Sequence, residues 1–115
     1  MQAYYFLRQN GRSPLEEYLE SINDLRQVAA INALVDKLIQ LNGRLPRPYA
    51  AHVEGKIWEL RTRFGNRVFY FSLDIDAVIL LDGYTKKRDR IEPRVLAKIH
   101  GLYKEYLMTR NRKPY

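Results

Sequence analysis

The apolar positions of this chain change period, and the changes mark out its elements. Residues 3–8 are a short aromatic and apolar run and predict a strand, and Asn10-Gly11 predicts a turn after it. Ser13-Pro14-Leu15-Glu16 reads as a helix start: Ser13 can cap, Pro14 fits the first helical position and Glu16 can complete a capping box. That helix should run to about Glu20. Asn23-Asp24 is a second start signal. After it Leu25, Val28, Ile31, Leu34, Val35, Leu38, Ile39 and Leu41 recur at three-to-four spacing. The spacing predicts an amphipathic helix of about five turns, closed at Asn42-Gly43, where glycine supplies the left-handed cap. Residues 44–55, with Pro46 and Pro48, predict an irregular loop.

From Lys56 the period drops toward two. Lys56 to Thr62 predicts a strand in which Trp58 and Leu60 share one face, expected to be core under the helices. Ile57, Glu59, Arg61 and Arg63 share the other, expected to be open. Phe64-Gly65-Asn66 turns the chain into a second run, Arg67 to Leu73, with aromatics of both parities. Asp74-Ile75-Asp76 turns it again into Ala77 to Tyr84, almost continuously apolar and so expected to be a central strand covered on both faces. The cover for the second face is a last helix that starts at Ile91-Glu92-Pro93, with the stripe Val95, Ile99, Leu102 and Tyr106. Beyond Met108 a basic tail, about residues 109–115, is expected to fray. The fold class is therefore α+β: one domain over residues 1–115, a small antiparallel sheet with two helices on one face and a third helix partly covering the other.

Charge adds a direction to this picture. The net charge is +7, with an isoelectric point near 9.8. Residues 1–55 balance, with six Lys/Arg against six Asp/Glu, so the whole excess lies in the sheet and the C-terminal segment. Such one-sided charge attracts polyanions, nucleic acid foremost. The chain has no cysteine, which excludes disulfides, thiolate catalysis and Cys-ligated zinc. The first residues lack the apolar core of a signal peptide, and no run approaches the roughly 18 apolar residues that span a bilayer. A soluble cytoplasmic protein with no membrane association is expected.

The candidate chemistry is a cluster of cations at the strand ends, with Tyr and Glu nearby. Gly-rich phosphate loops, GxSxG and HExxH are absent; Asp74, Asp76 and Asp82 come close to a metal-ligand set, but Asp74 and Asp76 flank a turn, where aspartate is ordinary, so neither metal nor other cofactor is expected. His52 is a candidate base in the loop, although a lone loop histidine is more often a surface group; His100 reads as a packed or surface residue. One reaction suits the inventory. RNA carries its own nucleophile, the 2′-hydroxyl, and a site needs to orient its attack, move a proton and balance charge on phosphorus. Arginine forks phosphate oxygens but cannot act as a base. Lysine, glutamate or tyrosine must handle protons, and a lysine crowded by cations, Lys86 or Lys87, is suited to it. A phosphate-binding patch without catalysis fits the composition equally well.

The residues also carry a resemblance. Ser13-Pro14 with Tyr18-Leu19, the run Gly55-Lys56-Ile57-Trp58-Glu59-Leu60-Arg61, Arg67 with Tyr70, and Leu80-Leu81-Asp82-Gly83-Tyr84-Thr85-Lys86-Lys87 are similar to the RelE/ParE toxin superfamily, and more closely to its HigB-like, phage-derived branch. The resemblance covers nearly the whole chain and implies the order β-α-α-β-β-β-α. It implies a type II toxin that enters the ribosomal A site and cleaves mRNA without a metal. The implied partner is a helix-turn-helix, HigA-like antitoxin, in a complex that commonly pairs two toxins with two antitoxins. Carried over by position, Arg61 and Arg67 bind the scissile phosphate, and Lys86 or Lys87 transfers a proton or stabilises charge. Glu59 helps, and Tyr84 or Tyr70 stacks on a base or orients the 2′-hydroxyl. Lys56, Arg63, Arg88 and Arg90 then add RNA-binding charge. The segment Arg88 to Pro93 departs from the family pattern with two extra cations. The superfamily also holds gyrase poisons, so gyrase inhibition and a non-catalytic phage accessory role remain alternatives.

Overall fold

The computed structural model describes residues 1–74, 76–87 and 90–115. Its elements run β1 (Gln2–Phe6), α1 (Pro14–Ser21), α2 (Leu25–Gln40), β2 (Ala50–Glu54), β3 (Ile57–Arg61), β4 (Asn66–Leu73), β5 (Ala77–Thr85), α3 (Pro93–Thr109) and β6 (Arg112–Pro114). The α+β class holds. The strands form one sheet in the order β2-β3-β4-β5-β1-β6.

Each helix starts where the sequence signals it. The Ser13 side chain accepts a hydrogen bond from the Glu16 N–H at 3.1 Å and Pro14 occupies the first turn. The other half of the capping box is not the role of Glu16; its carboxylate pairs with Lys113 at 2.6 Å. Asp24 caps α2 through the Arg26 N–H. After α2, Asn42 and Gly43 both take positive φ and reverse the chain.

Two segments expected to be irregular are strands. Ala50–Glu54, placed within a loop by its prolines, pairs antiparallel with β3. Arg112–Pro114, placed in a frayed tail, pairs antiparallel with β1. It is held further by Tyr115 donating to Asn32 at 2.8 Å and by Arg112 lying 4.1 Å over the Tyr4 ring. The sheet is also mixed rather than purely antiparallel, because β1 runs parallel to β5. β1 therefore shields one side of the apolar run Val78–Leu81, and β4 shields the other.

The core has two layers, one on each face of the sheet. On the first, α1 and α2 bring Leu15, Ile31, Val35 and Leu38 onto Leu60, Val68, Tyr70, Val78 and Leu80. On the second, α3 brings Ile99, Leu102 and Tyr106 onto Ile57, Phe69, Phe71, Ile79 and Leu81. Burying each such aliphatic side chain contributes about 1.5–3 kcal/mol. Alternation along β3 predicts Trp58 in the first layer beside Leu60, but Trp58 is 40% exposed. It pairs with His52 of β2 and packs edge-on against its ring, with centroids 5.2 Å apart.

Candidate functional site

The cationic strand ends meet at one corner of the sheet. Arg61 closes β3 and Arg67 is the second residue of β4, and the two are register partners across the hairpin. Arg67 also faces Tyr84 of β5. That second pairing depends on a β-bulge. Tyr70 pairs with Leu80, but the next residue back, Phe69, pairs with Asp82, so Leu81 is extra. Leu81 packs under α3, and Asp82 on the same side meets Lys98 of α3 at 3.1 Å. The bulge thus moves Tyr84 onto the α3 face. There its ring stacks on Phe69, with centroids 5.6 Å apart and planes 11° apart.

Glu59 sits at the centre of this corner. Alternation puts it on the same face as Arg61, and that face was expected to be open; instead Glu59 is 2% exposed. Its Oε1 lies 2.7 Å from Arg61 Nε and 3.2 Å from Arg67 Nε. The first contact is a hydrogen bond. The second has ion-pair distance without hydrogen-bond direction. Arg67 Nε is thus left buried without a hydrogen-bond partner among the described residues, and so are Glu59 Oε2 and the Tyr84 hydroxyl. Buried polar atoms are rarely left so. The Tyr84 phenol titrates above the usual tyrosine range, chiefly through burial and next through the Glu59 carboxylate, with the Arg67 charge opposing.

A second network holds the corner from behind. Asn66, fully buried, donates through Nδ2 to the Tyr18 hydroxyl at 2.9 Å and to Gln27 Oε1 at 3.0 Å. It accepts from Thr62 at 2.6 Å. The Tyr18 hydroxyl also meets Thr85 Oγ1 at 2.9 Å. Helices α1 and α2 are thereby tied to the turn that carries both arginines and to the end of β5. Tyr18 needs Gly83 in order to fit, since a Cβ there would stand 2.4 Å from its ring. Sequence reasoning assigned Asn66 only to a turn. The polar residue that follows Gly65 and opens an apolar strand was the available signal.

The remaining candidates divide. Lys86 continues the β5 pairing through its N–H to Gly65 O at 2.8 Å and is half-buried, whereas Lys87 is exposed. Counted through the bulge, alternation places Lys86 rather than Lys87 on the face of Tyr84 and Arg67. Arg63 is exposed in the turn, with its guanidinium 5.0 Å from the Phe64 ring centroid. Lys56 stands at the opposite end of β3 from Arg61 and is not part of the corner. Tyr70 lies on the helix-covered face at 2% exposure, its phenol pushed up to about 12 by burial, so it is not available to stack on a base. Arg90 is exposed ahead of α3, and Arg88 lies outside the described residues. His52 bonds Gly55 O at 2.7 Å and His100 bonds Glu54 at 3.0 Å, both away from the arginines. Among the described residues no group of three carboxylates, histidines or cysteines is placed to hold a metal. Nor, among the described residues, is any helix long and apolar enough to cross a membrane.

Residues 17–104 match the family described as phage derived protein Gp49-like (DUF891). The chain belongs to this Gp49-like family. The family is one of RelE- and toxin-like proteins, in keeping with a toxin-like function in general. The span common to Gp49-like proteins starts inside α1 and ends inside α3, so it contains Tyr18, Glu59, Arg61, Asn66, Arg67, Tyr84 and Lys86 and leaves out β1 and β6. No curated protein matches the chain in sequence.

Proposed function

We propose that this Gp49-like chain is a HigB-like toxin of a type II toxin–antitoxin system that cleaves mRNA on the ribosome. The observation that carries the reading is the trio of buried polar atoms without partners: Glu59 Oε2, Arg67 Nε and the Tyr84 hydroxyl. They are one acceptor, one donor and one group that does both, which is what a ribose 2′-hydroxyl beside a phosphate would satisfy.

In the free chain the Glu59 carboxylate stands against both guanidinium groups, where a phosphate would otherwise sit. An entering phosphate takes the two arginines. The carboxylate it releases accepts the 2′-hydroxyl proton. The 2′-oxygen bonds to phosphorus as the bond from phosphorus to the 5′-oxygen breaks, leaving a 2′,3′-cyclic phosphate and a 5′-hydroxyl. Tyr84, which holds its proton well above neutral pH, donates to the leaving oxygen, and Lys86 adds charge at the strand end. A helix-turn-helix antitoxin is the partner this reading requires.

One observation favours a second reading. Glu59 already occupies both arginines in the free chain, as it would in an ion-pair corner that holds the sheet together and takes no part in cutting. Induction of the chain in bacteria, with primer extension on a translated message, separates the two. Growth arrest with cleavage inside the translated region is expected, relieved by Arg61→Ala, whose side chain is 36% exposed and so can be removed without emptying the core. Arrest with intact message and DNA-damage signalling points to gyrase, and no arrest points to binding alone; either sinks the nuclease reading.

A further inference from the structure

The corner holds its own anion. Glu59 is fixed in mid-sheet, its backbone paired with Ala51 of β2 and Phe69 of β4, and its carboxyl stays on the α3 face at 2% exposure. Two guanidiniums compensate it there through Oε1, at 2.7 and 3.2 Å. Oε2 is buried without a hydrogen-bond partner among the described residues. A buried carboxylate is stable only while such compensation lasts.

We infer that a phosphodiester enters the Arg61–Arg67 pair together with a proton, which Glu59 takes up on Oε2. Placing the phosphate on the arginines rests on the nuclease reading; the proton uptake does not require the chain to cut. The phosphate takes both guanidiniums from Glu59 and sets a second negative charge beside it. The carboxyl cannot follow the arginines toward water, because its backbone stays in the sheet. Lost compensation under burial and a neighbouring anion both favour the neutral acid. Binding and protonation are then linked, and uptake of a full proton tightens binding about tenfold for each pH unit of acidification.

The other charged groups around Glu59 do not take this part. Arginine does not titrate, which removes Arg61 of β3 and Arg67 of β4. Tyr84 of β5 holds its proton well above neutral pH. Lys86, half-buried at the end of β5, adds positive charge on the arginine face. Glu92, at the start of α3, is near enough to act on Tyr84, but it bonds Arg94 at 2.9 Å. From β2 the residue opposite Glu59 is Ala51, which carries no charge. The proton has a consequence for RNA. A 2′-hydroxyl that gives it to Glu59 has begun the cleavage step; a proton drawn from water instead leaves the strand held and uncut. Acid therefore favours holding over cutting.

The test uses the full chain, carbon-13 labelled at its glutamate carboxyls, and a short 2′-deoxy oligonucleotide, which has phosphodiesters but no 2′-hydroxyl. The Glu59 carboxyl resonance should move to its protonated position at higher pH with the oligonucleotide than without it. Calorimetry in two buffers of different ionisation enthalpy, at one ionic strength, should find uptake approaching one proton. Glu59→Gln should bind at least about tenfold more tightly at neutral pH and lose the rise in affinity toward acid. A variant carrying His52→Gln and His100→Gln should keep most of that rise, since both histidines bond away from the arginines. A Glu59 carboxyl indifferent to the oligonucleotide overturns the proposal. So does a rise toward acid that survives in Glu59→Gln or vanishes with the histidines, and so does an oligonucleotide that does not bind at the corner. The carboxyl measurement needs no variant, so it decides even if Glu59→Gln fails to fold. Nothing is cut in this experiment; proton uptake without cleavage in cells sinks the nuclease reading alone.

Discussion

Glu59→Gln tests the corner most directly, because it removes one charge and keeps the shape. Glu59 is 2% exposed, the Arg67 side chain 11% and the Arg61 side chain 36%. Removing one member of a buried ion pair costs about 3–5 kcal/mol, because the partner is left buried and uncompensated. The Arg67 arm is close to that limit. The Arg61 arm is more than a third exposed, and screened pairs contribute only about 0.2–1 kcal/mol. Glutamine still offers an oxygen to Arg61, so the expected loss is about 3 kcal/mol, roughly 10 °C in Tm for a chain of this length. Urea unfolding should show the midpoint falling with an unchanged slope. A cycle with Arg67→Met assigns the loss: the double variant removes both charges, so the two single losses should exceed the double by at least about 1.5 kcal/mol. A Glu59→Gln protein within about 0.5 kcal/mol of wild type, or an additive cycle, would show that the carboxylate is solvated. The arginines would then be free in the resting chain, and a phosphate would have nothing to displace.

Three further outcomes follow from the same geometry. Gly83→Ala drives a methyl into the Tyr18 ring and within 3.2 Å of Arg67 O, and a thermal melt should show a loss of about 1–3 kcal/mol, typical of overpacking; an unchanged melt would mean that Tyr18 moves freely. The folded Tyr70 phenol keeps its proton up to about pH 12 while the unfolded one gives it up near 10.0. Its stabilising contribution is therefore full below pH 10.0 and lost from there to about 12, and Tyr70→Phe should flatten the alkaline fall in urea midpoint relative to wild type. Burial raises the Asp82 carboxyl above its usual 3.8, against the Gly83 N–H and Lys98. The folded state thus holds that proton more tightly and the advantage fades as pH rises from 3.8 through the folded value, so Asp82→Asn should gain on wild type as pH is raised above 3.8; a difference that stays flat with pH contradicts the assignment.

The sequence made the helices legible because their signals are local. Ser13-Pro14, Asp24 and Pro93 specify starts by chemistry that acts within one turn. The two strands it did not reveal, β2 and β6, have no local signal. Ala50–Glu54 follows two prolines, and Arg112–Pro114 contains a proline and two cations. Each is a strand because a neighbour supplies a ladder, and edge strands tolerate proline and charge for that reason. Glu59 was misplaced for a related cause. Alternation gives a face, not its cover, and the arginines brought to that face by β4 and by the end of β3 are what allow a carboxylate to stay buried there.

The bulge at Leu81 carries the same lesson furthest. Plain alternation from Ile79 and Leu81 would assign Gly83, Thr85 and Lys87 to the α3 face and send Tyr84 and Lys86 to the helix pair. The extra residue reverses everything after it: Asp82 reaches Lys98 of α3, Tyr84 reaches Phe69 and Arg67, and Gly83 turns toward Tyr18 of α1. The continuous apolar run Ala77–Leu81 hides the shift, because a strand buried on both faces has no alternation to interrupt. Only the polar residues beyond it report the change of parity. Of the two lysines in Lys86-Lys87, it is then the first that shares a face with the arginine pair, and the choice between them follows from one inserted leucine rather than from either lysine.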